Sequence, residues 1–164
     1  MHENKGFSLI EILVVMAIIS ILTVTAAVGI QSLGNRQVTR CIDSIETYLG
    51  KTKVAALAKN NKSYIEIYQT ADGCIIDSYV SDHLDKSEKI CNSDIEISYY
   101  KSGGIRTVLT ETERLKISFK RDSGALMSLE GEPDTVFCQK IEVEKGTITK
   151  TIVLVEATGK FYVE

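Results

Sequence analysis

The chain has 164 residues, a formal net charge of -3 and no tryptophan. That length suits one ordinary domain with an appendage, not two independent cores. The mild acidity excludes a globally basic nucleic-acid binder and decides little else.

The first six residues, MHENKG, form a short polar leader ending in Gly6. A long apolar stretch follows, and from Ile12 to Asn35 no side chain is charged. As an α-helix those 24 residues would extend about 36 Å, enough to cross a hydrocarbon core of about 30 Å. Ser20, Thr23 and Thr25 can return their hydroxyls to the helix backbone, so they do not forbid insertion. Gly29 and Gly34 are weak points near the outer end. Two ordinary readings fit this much. One is a secretory signal, with Lys5 as its basic region and Thr25-Ala26-Ala27 as a small-residue cleavage site. The other is a plain signal anchor. Glu11 weighs against both, because a carboxylate near the start of the apolar run gives neither any advantage. Ionisable groups within a membrane are as a rule paired and functional.

Gly6-Phe7-Ser8-Leu9-Ile10-Glu11, followed by the apolar helix, resembles the class III signal of type IV pilins and pseudopilins. Those are the subunits of type IV pili, type II secretion pseudopili and DNA-uptake fibres. The specific part is a glycine before an aromatic residue, with a glutamate at the fifth position after the glycine. The resemblance implies cleavage between Gly6 and Phe7 by a prepilin peptidase, and N-methylation of the new Phe7 amine. Glycine on the leader side offers no side chain to obstruct that protease. Glu11 then becomes an assembly residue that meets the N-terminal amine of a neighbouring subunit. The implied partners are the peptidase/methylase, other pilin or pseudopilin subunits, inner-membrane assembly machinery, and membrane lipid before assembly. The implied location is a single-pass cell-membrane protein with an extracytoplasmic C-terminal domain, which later joins a pilus or pseudopilus. Many major pilins carry a proline that kinks this helix. Here Pro133 is the only proline, which favours a minor subunit.

From Arg36 the apolar run becomes amphipathic. Val38, Cys41, Ile42, Ile45, Tyr48, Leu49, Thr52 and Ala56 recur at spacings of three and four and form one stripe. Asn60-Asn61 reads as a helix end. One continuous helix is expected from about Phe7 to Lys59, with its stripe packed into a core.

Beyond Asn61 the period changes. YIEIYQ (64–69), CIIDSYV (74–80), IEISYY (95–100), IRTVL (105–109), LKISFK (115–120), FCQKIEVE (137–144) and TITKTIVLVE (147–156) read as strands. Lys145-Gly146 reads as a hairpin turn, and Ala157-Thr158-Gly159 turns into a last short strand, KFYV. The stretch SDHLDKSEK (81–89) reads as a polar loop. The expected fold is α+β and pilin-like. Its parts are a leader (1–6), a transmembrane helix (7–35), an amphipathic continuation (36–61) and a small antiparallel β domain (62–164). YLGKTKVAALAKNNKSYIEIY and the closing TIVLVEATGKFYVE are similar to the H-type minor pseudopilins (GspH/FimT-like).

Cys41, Cys74, Cys91 and Cys138 form an even set, which in an exported domain suggests disulfides. Without a CxxC pair, zinc and thioredoxin chemistry are not expected. A bridge from Cys74 to Cys91 would clip the polar loop. Cys41, on the helix, reads as a buried free thiol, and four free thiols remain the alternative.

No catalytic constellation, metal site or cofactor is expected. His83, beside Asp82 and Asp85, reads as a solvated loop residue. Ser123-Gly124 and Gly103-Gly104 read as turns without phosphate-loop context. Lys116, Lys120 and Arg121 are close in sequence, and Lys101 and Arg106 flank a turn. Carboxylates are interspersed from Asp72 to Glu132, so DNA is only a secondary expectation. The functional expectation is a minor pilin or pseudopilin, a structural subunit and not an enzyme. The alternative is a membrane-anchored extracytoplasmic adhesin or binding domain that is not assembled into a fibre.

Overall fold

The structure is a computed structural model, and it describes residues 9–58 and 62–164, the side chains of 24–32 excepted. Two units divide between Asn35 and Arg36. A single helix, α1, runs through Leu9–Ala58. It agrees with the helix expected from the sequence across the described residues; the expected ends at Phe7 and Lys59 lie outside them.

In the first unit the described side chains of α1 are those of residues 9–23 and 33–35, and over 9–23 they are apolar except for Glu11, Ser20 and Thr23. Ser20 donates its hydroxyl to the Met16 carbonyl at 2.7 Å. The Thr23 hydroxyl reaches the carbonyls of Ser20 at 2.9 Å and Ile19 at 3.1 Å. Both hydroxyls are therefore satisfied within the helix. Thr25, Gly29 and the Thr25-Ala26-Ala27 triplet lie outside the described side chains. Among the described residues no helix is long and apolar enough to cross a membrane. The apolar run with described side chains, residues 9–23, would extend about 22 Å, against a hydrocarbon core of about 30 Å. The remainder of the expected span, 24–32, continues as helix with its side chains undescribed.

The second unit packs the rest of α1 with nine strands. They are β1 (Ser63–Thr70), β2 (Gly73–Val80), β3 (His83–Asn92), β4 (Glu96–Lys101), β5 (Arg106–Val108), β6 (Leu115–Ser118), β7 (Cys138–Lys145), β8 (Ile148–Val155) and β9 (Lys160–Val163). Two sheets form, ordered β3-β2-β1-β6 and β5-β4-β7-β8-β9. All their pairings are antiparallel. Strands of this kind bury alternate residues. On β1, Ile65 and Ile67 are fully buried, while Tyr64, Glu66 and Tyr68 face the other way and are half-buried.

All eight residues of the predicted helical stripe are buried. The seven apolar ones share one cluster with Ile65, Ile67 and Ile76 of the first sheet and Ile97, Ile141, Val143 and Ile152 of the second. The helix face thus supplies the surface on which both sheets close.

The stretch 81–89, expected as a polar loop, is instead a turn and most of β3. Ser81 and Asp82 have φ of 54° and 62°, and Val80 pairs directly with His83. This two-residue loop has the positive φ at both central positions that matches strand twist. β3 lies at a sheet edge and is exposed along most of its length. Its charged side chains show no hydrophobic alternation because water covers most of the strand. Backbone pairing with β2 makes it a strand.

The C-terminal hairpin is fastened to α1. Lys53 donates to the carbonyls of Thr158 at 2.8 Å and Gly159 at 3.0 Å. A Cβ at Gly159 would lie 2.0 Å from the Gly124 carbonyl oxygen, and its φ of 56° is a glycine conformation. Gly50, inside α1, faces the Phe161 ring, with room for a Cβ at 3.8 Å. The closing Thr-Gly-Lys-Phe segment is therefore a docking feature for the helix.

These two glycines predict opposite effects in thermal or urea unfolding of the full chain in detergent. Gly159→Ala should destabilise by on the order of 3 kcal/mol, from the forced φ and the clash. Gly50→Ala should stabilise by up to about 1 kcal/mol, because helix propensity improves and nothing collides.

Candidate functional site

Gly6 and Phe7 lie outside the described residues. Glu11 stands in the first described turn of α1 and is exposed. Its helical neighbours three and four positions on are Val14 and Val15, and each large apolar side chain from Leu9 to Leu22 is at least 50% exposed. These side chains point in all directions around the axis, since consecutive residues are covered by the run. A helix apolar on every side belongs in lipid or among other apolar helices, and so large an exposed apolar surface marks an interaction site. Glu11 is the one ionisable side chain of residues 9–23.

All four cysteines lie among the described residues. All four are buried with free thiols. Cys74 and Cys91 are direct cross-strand partners on β2 and β3, so they face one another across a hairpin and do not clip a loop. Cys41 of α1 belongs to the same buried cluster, and the Cys74 thiol donates to the Ile75 carbonyl at 3.8 Å. Cys91 is held well below the ordinary thiol value, by Cys41 first and then by Cys74. Cys41 and Cys74 are pushed up, first by Cys91 and then by burial. Cys138 is elsewhere, on β7, where burial pushes its thiol up to about 12 and its S–H meets the Lys140 carbonyl at 3.6 Å. Sequence periodicity places Cys41 in the core. It does not show that Cys74 and Cys91 stand opposite one another.

Of the basic residues singled out by the sequence, Lys116, Lys120 and Arg121 line one open pocket, among the carboxylates of Asp82, Asp122, Glu130, Glu132 and Asp134; Lys101 and Arg106 are not part of it. Lys116 pairs with Glu130 at 2.9 Å and sits 4.1 Å above the Tyr64 ring. Lys101 pairs with Glu132 at 2.7 Å. Arg106 lies among Glu96 at 3.0 Å, Glu142 at 3.6 Å and Glu144 at 3.6 Å. These cations are spent on intrachain carboxylates. The outer face of the first sheet also holds the stacked rings of Tyr64 and Tyr79, 4.7 Å apart, and Arg114 at 4.0 Å over Tyr68. His83 is exposed at the start of β3. Among the described residues no group of three or more His, Cys, Asp or Glu is placed to hold a metal ion.

Residues 1–27 match the family model of the prokaryotic N-terminal methylation motif, the type IV prepilin-type signature. No curated protein and no solved structure matched the chain. The matched segment contains Gly6, Phe7 and Glu11 and the start of the exposed apolar surface. It supports a type IV pilin-like or pseudopilin protein.

The carboxylates around Arg106 predict a stability effect. Glu96 and Glu144 are direct cross-strand partners, and like charges so placed repel. Arg106→Ala should therefore cost about 1 kcal/mol at pH 7, a small value because these side chains are partly exposed. Urea denaturation curves of both proteins at pH 7 check this.

Proposed function

From a chain carrying the prepilin-type methylation motif, we propose a minor pilin or pseudopilin, a structural subunit of a type IV pilus, type II secretion pseudopilus or DNA-uptake fibre. The observation that supports it is the motif match over residues 1–27. The all-round apolar surface of α1 that begins inside the matched segment is consistent with it. Prepilin peptidase cuts between Gly6 and Phe7, and the new Phe7 amine is methylated. The apolar part of α1, including 24–32, anchors the subunit as a single-pass membrane protein with residues 36–164 outside the cytoplasm. Inner-membrane assembly machinery then moves it into a fibre, where apolar helices pack on one another. The H-type (GspH/FimT-like) subgroup is the favoured placement, on the helix end and the closing Thr-Gly hairpin.

The energetic logic centres on Glu11. Lipid opposes a charged carboxylate, and a neighbouring subunit's N-terminal amine offers it a counter-charge at low dielectric. Removing one partner of a buried ion pair typically costs about 3–5 kcal/mol. Glu11 therefore sets both the register and the direction of subunit addition. The lack of proline before Pro133 favours a minor position. DNA is not a favoured ligand of this subunit, since Lys101, Arg106 and Lys116 are engaged by carboxylates.

Intact mass of protein from a peptidase-competent host should show loss of residues 1–6 and one added methyl group. Cleavage near Ala27 would contradict the proposal. Glu11→Ala should abolish recovery in fibres while membrane insertion persists. A membrane-anchored adhesin would be indifferent to that change.

A further inference from the structure

β3 is an outer strand of the first sheet, and among the described residues no strand pairs with its free edge. Its register with β2 shifts twice, at Asp85 and at Ile90, where β3 carries one extra residue at a β-bulge. Between those bulges residues 86–89 run as regular strand opposite Ser78, Asp77, Ile76 and Ile75. From His83 to Lys89 the strand is exposed, apart from half-buried Glu88. The edge reads Asp85-Lys86-Ser87-Glu88-Lys89, so its charges cancel. They also change sign on reflection through Ser87: Lys86 answers Glu88, and Asp85 answers Lys89. Within one chain Lys86 pairs with Glu88, and the Tyr48 hydroxyl donates to the same carboxylate at 2.7 Å. The fold therefore holds these two charges at the edge.

We propose that the free edge of β3 pairs with the same edge of a second copy of this chain, antiparallel and two-fold about Ser87. In that register Lys86 stands opposite Glu88 of the second copy, twice by symmetry, and Ser87 stands opposite Ser87. Each Glu88 then lies between two lysines, one from each copy. Asp85 is a bulge residue, so it meets Lys89 of the second copy through the length of that lysine and not as a ladder partner. Opposite charges directly across paired strands stabilise, and like charges there repel. The same pattern specifies the register. Backbone groups alternate sides along a strand, so the nearest other two-fold registers centre on Lys86 or on Glu88. Each of those sets a charge against its own copy. An edge guarded against pairing uses charge to keep other strands away, whereas the charge on this edge fits a second copy. One short strand pair is a small interface of the transient kind. It is isologous and closes on itself, so it cannot extend into a filament. The dimer is thus a form of the subunit outside a fibre, and it does not rest on the fibre reading.

The test places Ser87→Cys in the full chain in detergent, oxidises it mildly and maps the cross-linked peptides. Directly opposed residues of an antiparallel pair have Cα atoms about 4.5–5.5 Å apart, within reach of a disulfide. Tyr162→Cys, exposed on the outer strand of the other sheet, is the control for dimers made by the apolar helices. A covalent dimer joined through the two position-87 sulfurs should form in clear excess over the control. Adding Lys86→Glu sets glutamate against glutamate twice and should cut that product roughly fivefold or more. Adding Glu88→Lys as well restores the pairing with signs exchanged, and the cross-link should return. A merely structural role for Glu88 predicts no such rescue, because the second change removes the acceptor of the Tyr48 hydroxyl. Equal cross-linking at the two positions, a position-87 sulfur bonded to a native cysteine, no loss with Lys86→Glu, or no rescue would overturn the proposal. Should a charge variant misfold, the contrast between positions 87 and 162 still decides. The readout is on purified protein, so its failure leaves the fibre reading untouched, and uncut Gly6–Phe7 would leave this dimer untouched.

Discussion

The buried stripe of α1 from Val38 to Ala56 is the constraint on which the second unit depends. Two antiparallel sheets, four and five strands wide, each have a core-facing side that must leave water. The stripe covers both at once, and the hydrophobic cluster runs through all three surfaces. Secondary attachments then hold the arrangement in register. Lys53 holds the last hairpin, the Tyr48 hydroxyl donates to Glu88 of the edge strand at 2.7 Å, and Lys150 donates to Thr39 at 2.8 Å. Each of these polar ties is made from a residue on or beside the stripe. The helix is therefore the organising element of the β domain and not an addition to it.

The same helix changes character along its length. Over residues 9–23 it is apolar on every side, while beyond Arg36 it is apolar on one. A hydrophobic stripe is satisfied within one chain, but an all-round apolar surface is not. That contrast, more than hydropathy as such, directs attention to lipid and to other helices. Glu11 is the one ionisable side chain on that surface over residues 9–23.

Much of this is legible in the sequence because periodicity carries it. Every residue of the helical stripe follows from spacing alone, and eight strands follow from alternation or a terminal turn. β3 does not, since a solvated edge strand is defined by its partner's backbone and its Asp, Lys and Glu residues look like a loop. The turn at Ser81-Asp82 contains no glycine, which removes the usual hairpin signal. The facing pair Cys74 and Cys91 is partly hidden for a related reason. Cys41 and Cys74 fall on inward positions by period, but Cys91 faces inward only through a bulge, and a bulge is a property of the pairing. The Gly6–Phe7 signal is legible through its resemblance to prepilin leaders, and it lies within residues 1–27, which match the methylation motif.

The central claim is that the apolar surface of α1 ends among the helices of neighbouring subunits. It is tested most directly by placing a photo-crosslinking residue at Ile18 in cells that make the fibre. The account predicts adducts joining α1 of one subunit to α1 of another in material sheared from the cell surface, and lipid adducts in the membrane pool. Lipid adducts alone, with no subunit–subunit product in any fraction, would contradict it.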